Sequence, residues 1–152
     1  MNDQRQSSRQ FTKPSAVDRF FNRAFGYLLK IGIGLPHNFL LEVRGRKSGR
    51  VYSTPVNVLW RNGKRYLVAP RGYTQWVRNV IASGDAVLAR GAHREMVHLE
   101  IIDDNDKPEI LKAYLERYKL TVQRYFPIPA GSPLEAFQPL IPQYPVFEVI
   151  VK

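Results

Sequence analysis

The chain has 152 residues, with 23 Lys+Arg against 13 Asp+Glu, a net charge of +10 and a hydrophobic content of 44%. That length holds one domain with a sizeable core and not two ordinary ones, and the charge favours anionic partners: nucleic acid, anionic lipid or a polyanionic small molecule. No cysteine is present, which excludes disulfides, thiolate nucleophiles and cysteine metal sites and fits a reducing cytoplasm. No apolar run approaches the roughly 20 residues that a membrane span needs. The polar, basic start does not read as a signal peptide.

Residues 1–14 read as a mobile basic tail, and residues 15–152 as a single domain. From Ser15, a candidate N-cap with Asp18 three positions on, Val17, Phe20, Phe21, Ala24, Phe25 and Leu28 recur at helical spacing until Gly32, Gly34 and Pro36. This aromatic helix reads as packed on the core; the sharper alternative is peripheral membrane contact or closure of a pocket. Two apolar runs, Phe39 to Val43 and Val56 to Trp60, flank the basic Gly/Ser turn Gly45 to Arg50 and predict a β-hairpin. Pro55 places its part of the second strand at an edge or bulge. Arg61-Asn62-Gly63-Lys64 predicts a type I′ turn into a third strand, Arg65 to Ala69.

Thr74 can cap a short helix, Gln75 to Ala82, with Trp76, Val77, Val80 and Ile81 as its apolar stripe. Ala86 to Ala89 and Glu95 to Ile101 read as strands joined at Gly91-Ala92-His93, the second with Val97, Leu99 and Ile101 on one face. Asp106 to Tyr118 predicts a helix with Asp106 and Glu109 as a capping pair and Ile110, Leu111, Tyr114, Leu115 and Tyr118 as its buried stripe. Pro127 to Pro142 reads as loop with a short apolar segment around Leu134 to Phe137. Tyr144 to Val151 reads as a central closing strand. The expected fold is mainly β (α+β): about six mostly antiparallel strands curled into a small barrel with flanking helices.

Familiar catalytic patterns are missing. His37, His93 and His98 lack metal-ligand spacing, no G-x-S-x-G elbow occurs, and neither a Walker A loop nor a G-x-G-x-x-G is present. Asp103 to Asp106 lacks calcium-loop spacing. What remains is the hairpin tip, where Arg44, Arg46, Lys47 and Arg50 fall among Gly45, Ser48 and Gly49. Glycine allows close backbone approach, turn N–H groups form anion-binding concavities, and Arg and Lys add full charge. The tip reads equally as an anion cradle or as a solvated basic turn. It lacks the interleaved aromatics of a nucleic-acid surface, so nucleic acid is not the expected partner.

The tip does not stand alone. Gly45-Arg46-Lys47-Ser48-Gly49, then Ser53-Thr54-Pro55, a strand ending in Val68-Ala69 and a short helix with Trp76 and Asn79 together resemble the deazaflavin-dependent nitroreductase family over roughly residues 35 to 102. The resemblance implies a split β-barrel related to flavin-binding pyridoxamine-phosphate-oxidase-like proteins. It also implies coenzyme F-420, a deazaflavin with a phosphate and an oligoglutamate tail. By the same resemblance, Arg46, Lys47, Ser48 and Gly49 match the phosphate side. Ser53, Thr54, Pro55 and Val56 match the stretch beside the ring. Ala69, Arg71 and Gly72 match the loop on its other side, and Trp76 and Asn79 the following helix. Two departures stand out: Tyr52 replaces a frequent basic residue, with Arg50 as a substitute, and the loop from Arg71 to Trp76 is shorter than usual. Flavin mononucleotide is the alternative cofactor.

The resemblance further implies an oxidoreductase that moves a hydride to an electron-poor acceptor: a quinone, an enone or a nitro compound. Tyr118, then Tyr114 and Tyr125, are the candidate proton donors on the acceptor side. The alternative is a non-catalytic binder of coenzyme F-420, flavin mononucleotide or a lipid-like ligand on the same barrel. The expected partner is a small apolar acceptor, the expected assembly a monomer or homodimer, and the expected location the cytoplasm, with membrane association through the first helix as a variant.

Overall fold

The computed structural model describes residues 37–152. The basic tail and the aromatic helix from Ser15 lie outside the described residues. Six strands form a closed antiparallel barrel: β1 (Asn38–Arg44), β2 (Val51–Arg61), β3 (Lys64–Val68), β4 (Asp85–Arg90), β5 (His93–Ile101) and β6 (Val146–Val151), in the order β1-β2-β3-β6-β5-β4. The expected antiparallel barrel is therefore the observed one, and β6 sits between β3 and β5.

Local chemistry explains the turns. Asn62 (φ 51°) and Gly63 (φ 77°) both adopt the left-handed conformation that a type I′ turn requires. In the β1–β2 hairpin, Gly45 N–H donates to the Arg50 carbonyl at 2.6 Å and Gly49 N–H to the Gly45 carbonyl at 3.0 Å. Pro55 lies opposite Leu40, yet β2 pairs with β3 only from Val58 onward. Among the described residues, 51–57 thus have a strand neighbour on one side alone. Such an edge position is one where a residue without an N–H need cost no ladder bond.

Alternation divides the apolar residues between two cores. Leu41, Val43, Val58, Leu67, Leu88, Val97, Leu99 and Phe147 fill the barrel. Helix α1 (Gln75–Ser83) adds Val77 and Val80 to that cluster. Leu59, Val68 and Val146 belong instead to a second cluster with α2 (Lys107–Arg117), whose Ile110, Leu111, Tyr114 and Leu115 are buried. The α2 stripe is as the sequence predicts, and Tyr118 joins it just past the helix end.

Several details differ from expectation. Ile81 is half exposed, and Asn79 takes its place on the buried side of α1. Ile101 is exposed at the end of β5, unlike Val97 and Leu99. Neither Thr74 nor Asp106 makes a side-chain capping bond. Asp106 already has helical backbone angles, which turn its carboxylate away from the free N–H groups. Glu109, its expected capping partner, lies instead 3.9 Å from Arg61. The stretch expected as loop contains a 3-10 helix, Leu134–Gln143, that buries Phe137 and Leu140 against α2. Pro139 and Pro142 within it each remove an N–H donor, which weakens an α-helical ladder and leaves short 3-10 turns as the solution.

Candidate active site

The one-sided stretch of β2 forms a wall of a cavity of about 1030 Å³. Facing it are the end of β3 and the segment after it (Val68 to Arg71), Thr74 and the first turns of α1 (Gln75, Trp76, Asn79), Tyr114 from α2, and the segment from Thr121 to Tyr125. The tip residues Arg46, Lys47 and Ser48 stand at the same cavity. Chain segments far apart in sequence meet here because β2 outruns β3 and leaves the barrel split on that side.

The electrostatics are one-signed. Arg46, Lys47, Arg71 and Arg124 line the cavity, and among the described residues that line it there is no carboxylate. Arg46 is held in place: its backbone N–H donates to Asn79 Oδ1 at 3.1 Å, and its Nη1 donates to the same oxygen at 2.8 Å and to Gln75 Oε1 at 3.0 Å. Asn79, at 4% exposure, thus reaches the cavity largely through Arg46. The Tyr52 hydroxyl is 3.3 Å from Ser48 Oγ. A side chain at Gly45 would come within 2.8 Å of the Tyr52 ring and 2.9 Å of Ser48 Oγ, so it would have to displace these two side chains at the tip.

Most sequence-expected residues converge: Arg46, Lys47, Ser48, Ser53, Thr54, Pro55, Val56, Ala69, Arg71, Trp76, Asn79, Tyr114 and Tyr125 all line the cavity. Gly49, Arg50 and Gly72 do not. Gly49 (φ 75°) and Gly72 (φ 84°) shape their turns, and the Arg50 N–H donates to Ser48 Oγ at 3.2 Å. Tyr118, the first-ranked proton donor, is also not in the lining. Its hydroxyl donates to the Val58 carbonyl at 2.6 Å, and its ring lies 4.7 Å from that of His37. Tyr114, one turn earlier, reaches the cavity from full burial. Burial holds its phenol well above the ordinary tyrosine range. Tyr125 accepts a bond from Arg124 Nη2 at 2.7 Å, and the same guanidinium lies 4.8 Å from its ring centre.

Sequence reading missed His37, Asn38, Tyr52, Asn57, Thr74, Gln75, Thr121 and Arg124 as lining residues. Burial, with Arg117 and Arg90 nearby, holds the His37 imidazole below its usual pKa, which keeps it neutral near pH 7. A signal existed for two of these. A hairpin turning between Arg44 and Val51 places Asn38 opposite Asn57, an amide facing an amide across the ladder, and the structure shows that pairing.

The fold and this cavity together define a flavin-reductase-like split barrel. A family profile described as F420H(2)-dependent quinone reductase matches residues 15–126, and the chain belongs to that family. It is accordingly an oxidoreductase that depends on coenzyme F-420. Comparison with curated proteins finds no match. Among solved structures, an F420-H2 dependent reductase is 20% identical, with a TM-score of 0.51 over 78% of this chain and 99% of its own. A protein of unknown function from Agrobacterium tumefaciens is 15% identical, with a TM-score of 0.56 over 92% of this chain and 59% of its own. A structure described as a domain-swapped dimer is 19% identical, with a TM-score of 0.53 over 89% of this chain and 99% of its own. At these identities the likeness speaks for the fold alone.

The residues present fit such a cofactor. Cations and the hairpin turn suit a phosphate and carboxylates, while Pro55, Val56, Val68, Ala69, Trp76 and Val122 offer apolar wall for a planar ring. Thr74 lines the cavity too, and its Oγ1 is buried with no hydrogen-bond partner among the described residues. A buried orphan hydroxyl is costly unless something completes it. Among the described residues there is no cluster that could hold a metal ion, and no helix long and apolar enough to cross a membrane.

Proposed function

We propose that this chain passes a hydride between reduced coenzyme F-420 and a small electron-poor acceptor, a quinone first and an enone or nitro compound by the same chemistry. The observation that carries this reading is the one-signed cavity: four cations and no carboxylate among its described lining residues, beside an apolar wall. When bound, the deazaflavin supplies the hydride. Arg46, Lys47 and Ser48 hold its phosphate and glutamate carboxylates by charge-assisted bonds. Ser53 to Val56 and Ala69 to Arg71 flank the ring, with Trp76 against its edge. Asn79 acts by fixing Arg46. The apolar wall excludes water, which strengthens each of these interactions. Tyr114 and Tyr125 face the acceptor side as hydrogen-bond or proton donors, and burial keeps Tyr114 in its donor form.

The same reading takes residues 15–152 as one domain, in keeping with a family match that begins at residue 15. It also admits a homodimer, in keeping with the domain-swapped relative. The test is a titration with oxidised coenzyme F-420, read by tryptophan fluorescence, with flavin mononucleotide run beside it. Trp76 lines the cavity and Trp60 is exposed elsewhere, so quenching reports mainly on the site. Tight binding that weakens with salt, and at least about tenfold in an Arg46→Ala/Lys47→Ala variant, is expected, followed by turnover of menadione with the reduced cofactor. Absence of binding by either cofactor on the order of tens of micromolar overturns the reading.

A further inference from the structure

Positive charge converges on the first turn of α1. Arg46 Nη1 donates to Gln75 Oε1 at 3.0 Å and to Asn79 Oδ1 at 2.8 Å, which holds the guanidinium against the N-terminal part of that helix. Such a helix end carries about half a positive charge of its own. The helical ladder of α1 begins with the Arg78 N–H, which donates to the Thr74 carbonyl at 3.1 Å. The N–H groups of Gln75, Trp76 and Val77 therefore precede it and have no intrahelical acceptor. No acidic residue stands in the first turn, and both acceptors for Arg46 are neutral amides. A cation held at this end of a helix is repelled by it unless an anion joins them.

Thr74 supplies an independent observation. It is the N-cap residue of α1, with φ −71° and ψ 176°, yet its side chain makes no capping bond. A threonine at that position ordinarily accepts from an N–H of the first turn. Here Oγ1 is buried and has no hydrogen-bond partner among the described residues, although Thr74 lines the cavity together with Gln75 and Trp76. A hydroxyl that neither caps its own helix nor meets another residue is costly, and it is the kind of group a ligand completes.

We propose that Thr74 and the first turn of α1 form an anion subsite of the cavity, in which the Thr74 hydroxyl donates to a phosphate oxygen beside Arg46. This rests on the function proposed above and assigns the phosphate of the coenzyme to the end of α1. Phosphate oxygens accept from a hydroxyl, from backbone N–H groups and from a guanidinium alike, so one group satisfies all three and neutralises the charge gathered there. A staggered rotation about χ1 of Thr74 is the only adjustment needed to turn Oγ1 toward the ligand.

The test uses the isosteric variant Thr74→Val, with Thr74→Ser as the conservative control. Thr74→Val should weaken coenzyme F-420 binding about tenfold, and Thr74→Ser should stay within about threefold of wild type. The deazaflavin core without phosphate and tail should bind wild type and Thr74→Val within about twofold of each other. The cofactor-free Thr74→Val protein should melt no lower than wild type, because the substitution removes a buried unpaired hydroxyl. Unchanged coenzyme affinity in Thr74→Val overturns the subsite. So does an equal loss for the phosphate-free core, which assigns Thr74 to the ring or to the fold. A titration of the cofactor-free protein with inorganic phosphate is independent of the enzyme reading. The backbone amide resonances of Gln75 and Trp76 should move and saturate in wild type, and respond several-fold more weakly in Thr74→Val. If the wild-type chain binds no coenzyme, the proposed function falls and this titration still decides the subsite: amides that stay put overturn it.

Discussion

At the scale of single residues, the cavity depends on a few side chains whose partners are remote in sequence. Asn79 is the clearest. Its Oδ1 takes two bonds from Arg46, which is 33 residues away. Asn79→Leu leaves the Arg46 guanidinium tied, among the described residues, only to Gln75 and is expected to weaken coenzyme F-420 binding roughly tenfold, about the value of one charge-assisted hydrogen bond. The fluorescence titration measures this directly, and the loss should shrink at high salt as the charge on Arg46 matters less. Arg46, Lys47 and Ser48 were legible in the sequence because their chemistry is carried by residue type. Asn79 was legible only as a position, since its neighbour Arg46 is brought to it by the fold. Tyr114 and Tyr118 share one helical stripe and were indistinguishable by spacing. What separates them is the Val58 carbonyl, 60 residues from Tyr118, which occupies its hydroxyl.

At the scale of elements, the α1–β4 junction is closely packed. Gly84 ends α1 with φ 81°, and its N–H returns to the Val80 carbonyl. A side chain there would meet the His98 ring at 2.3 Å, and His98 is tied to Asp85 at 3.1 Å. Gly84→Ala is expected to cost about 1–2 kcal/mol from the left-handed backbone, with a further loss if His98 must release Asp85. A fall of several degrees in the melting temperature would show it. A melting point equal to wild type would mean that the ring swings aside freely. The Ser83-Gly84 stop was readable because a helix end with glycine is a local event. The 3-10 helix over Leu134–Gln143 was not, because its two prolines signal a break, while burial of Phe137 and Leu140 on α2 is what orders it.

At the scale of the molecule, buried phenols set the alkaline limit. Burial pushes Tyr144 up to about 12 and Tyr114 higher still. The sign follows from linkage. Below about pH 10 both folded and unfolded tyrosines keep their protons and stability is flat; above it the unfolded chain releases protons that the native state retains. Stability should therefore fall as pH rises from about 10 toward 12, seen as a drop in the urea midpoint over that window. A midpoint constant across it would contradict the burial of these phenols. The acid end depends on other groups: Asp85, held below the usual carboxylate range by hydrogen bonds from His98 and Lys152, loses its contribution as pH drops under the ordinary carboxylate pKa.

The sequence by itself determined the strands, the Asn62-Gly63 turn, the basic hairpin tip and the barrel class. Each of these follows from alternation, backbone freedom or charge within a few neighbouring residues. Only the tertiary structure decided which tyrosine reaches the cavity, that Asn38 and Asn57 face it, and that the Thr74 hydroxyl is left without a partner among the described residues. Those outcomes depend on where β2 outruns β3 as the barrel closes. Ring closure sets contacts between residues tens of positions apart, which no local pattern encodes.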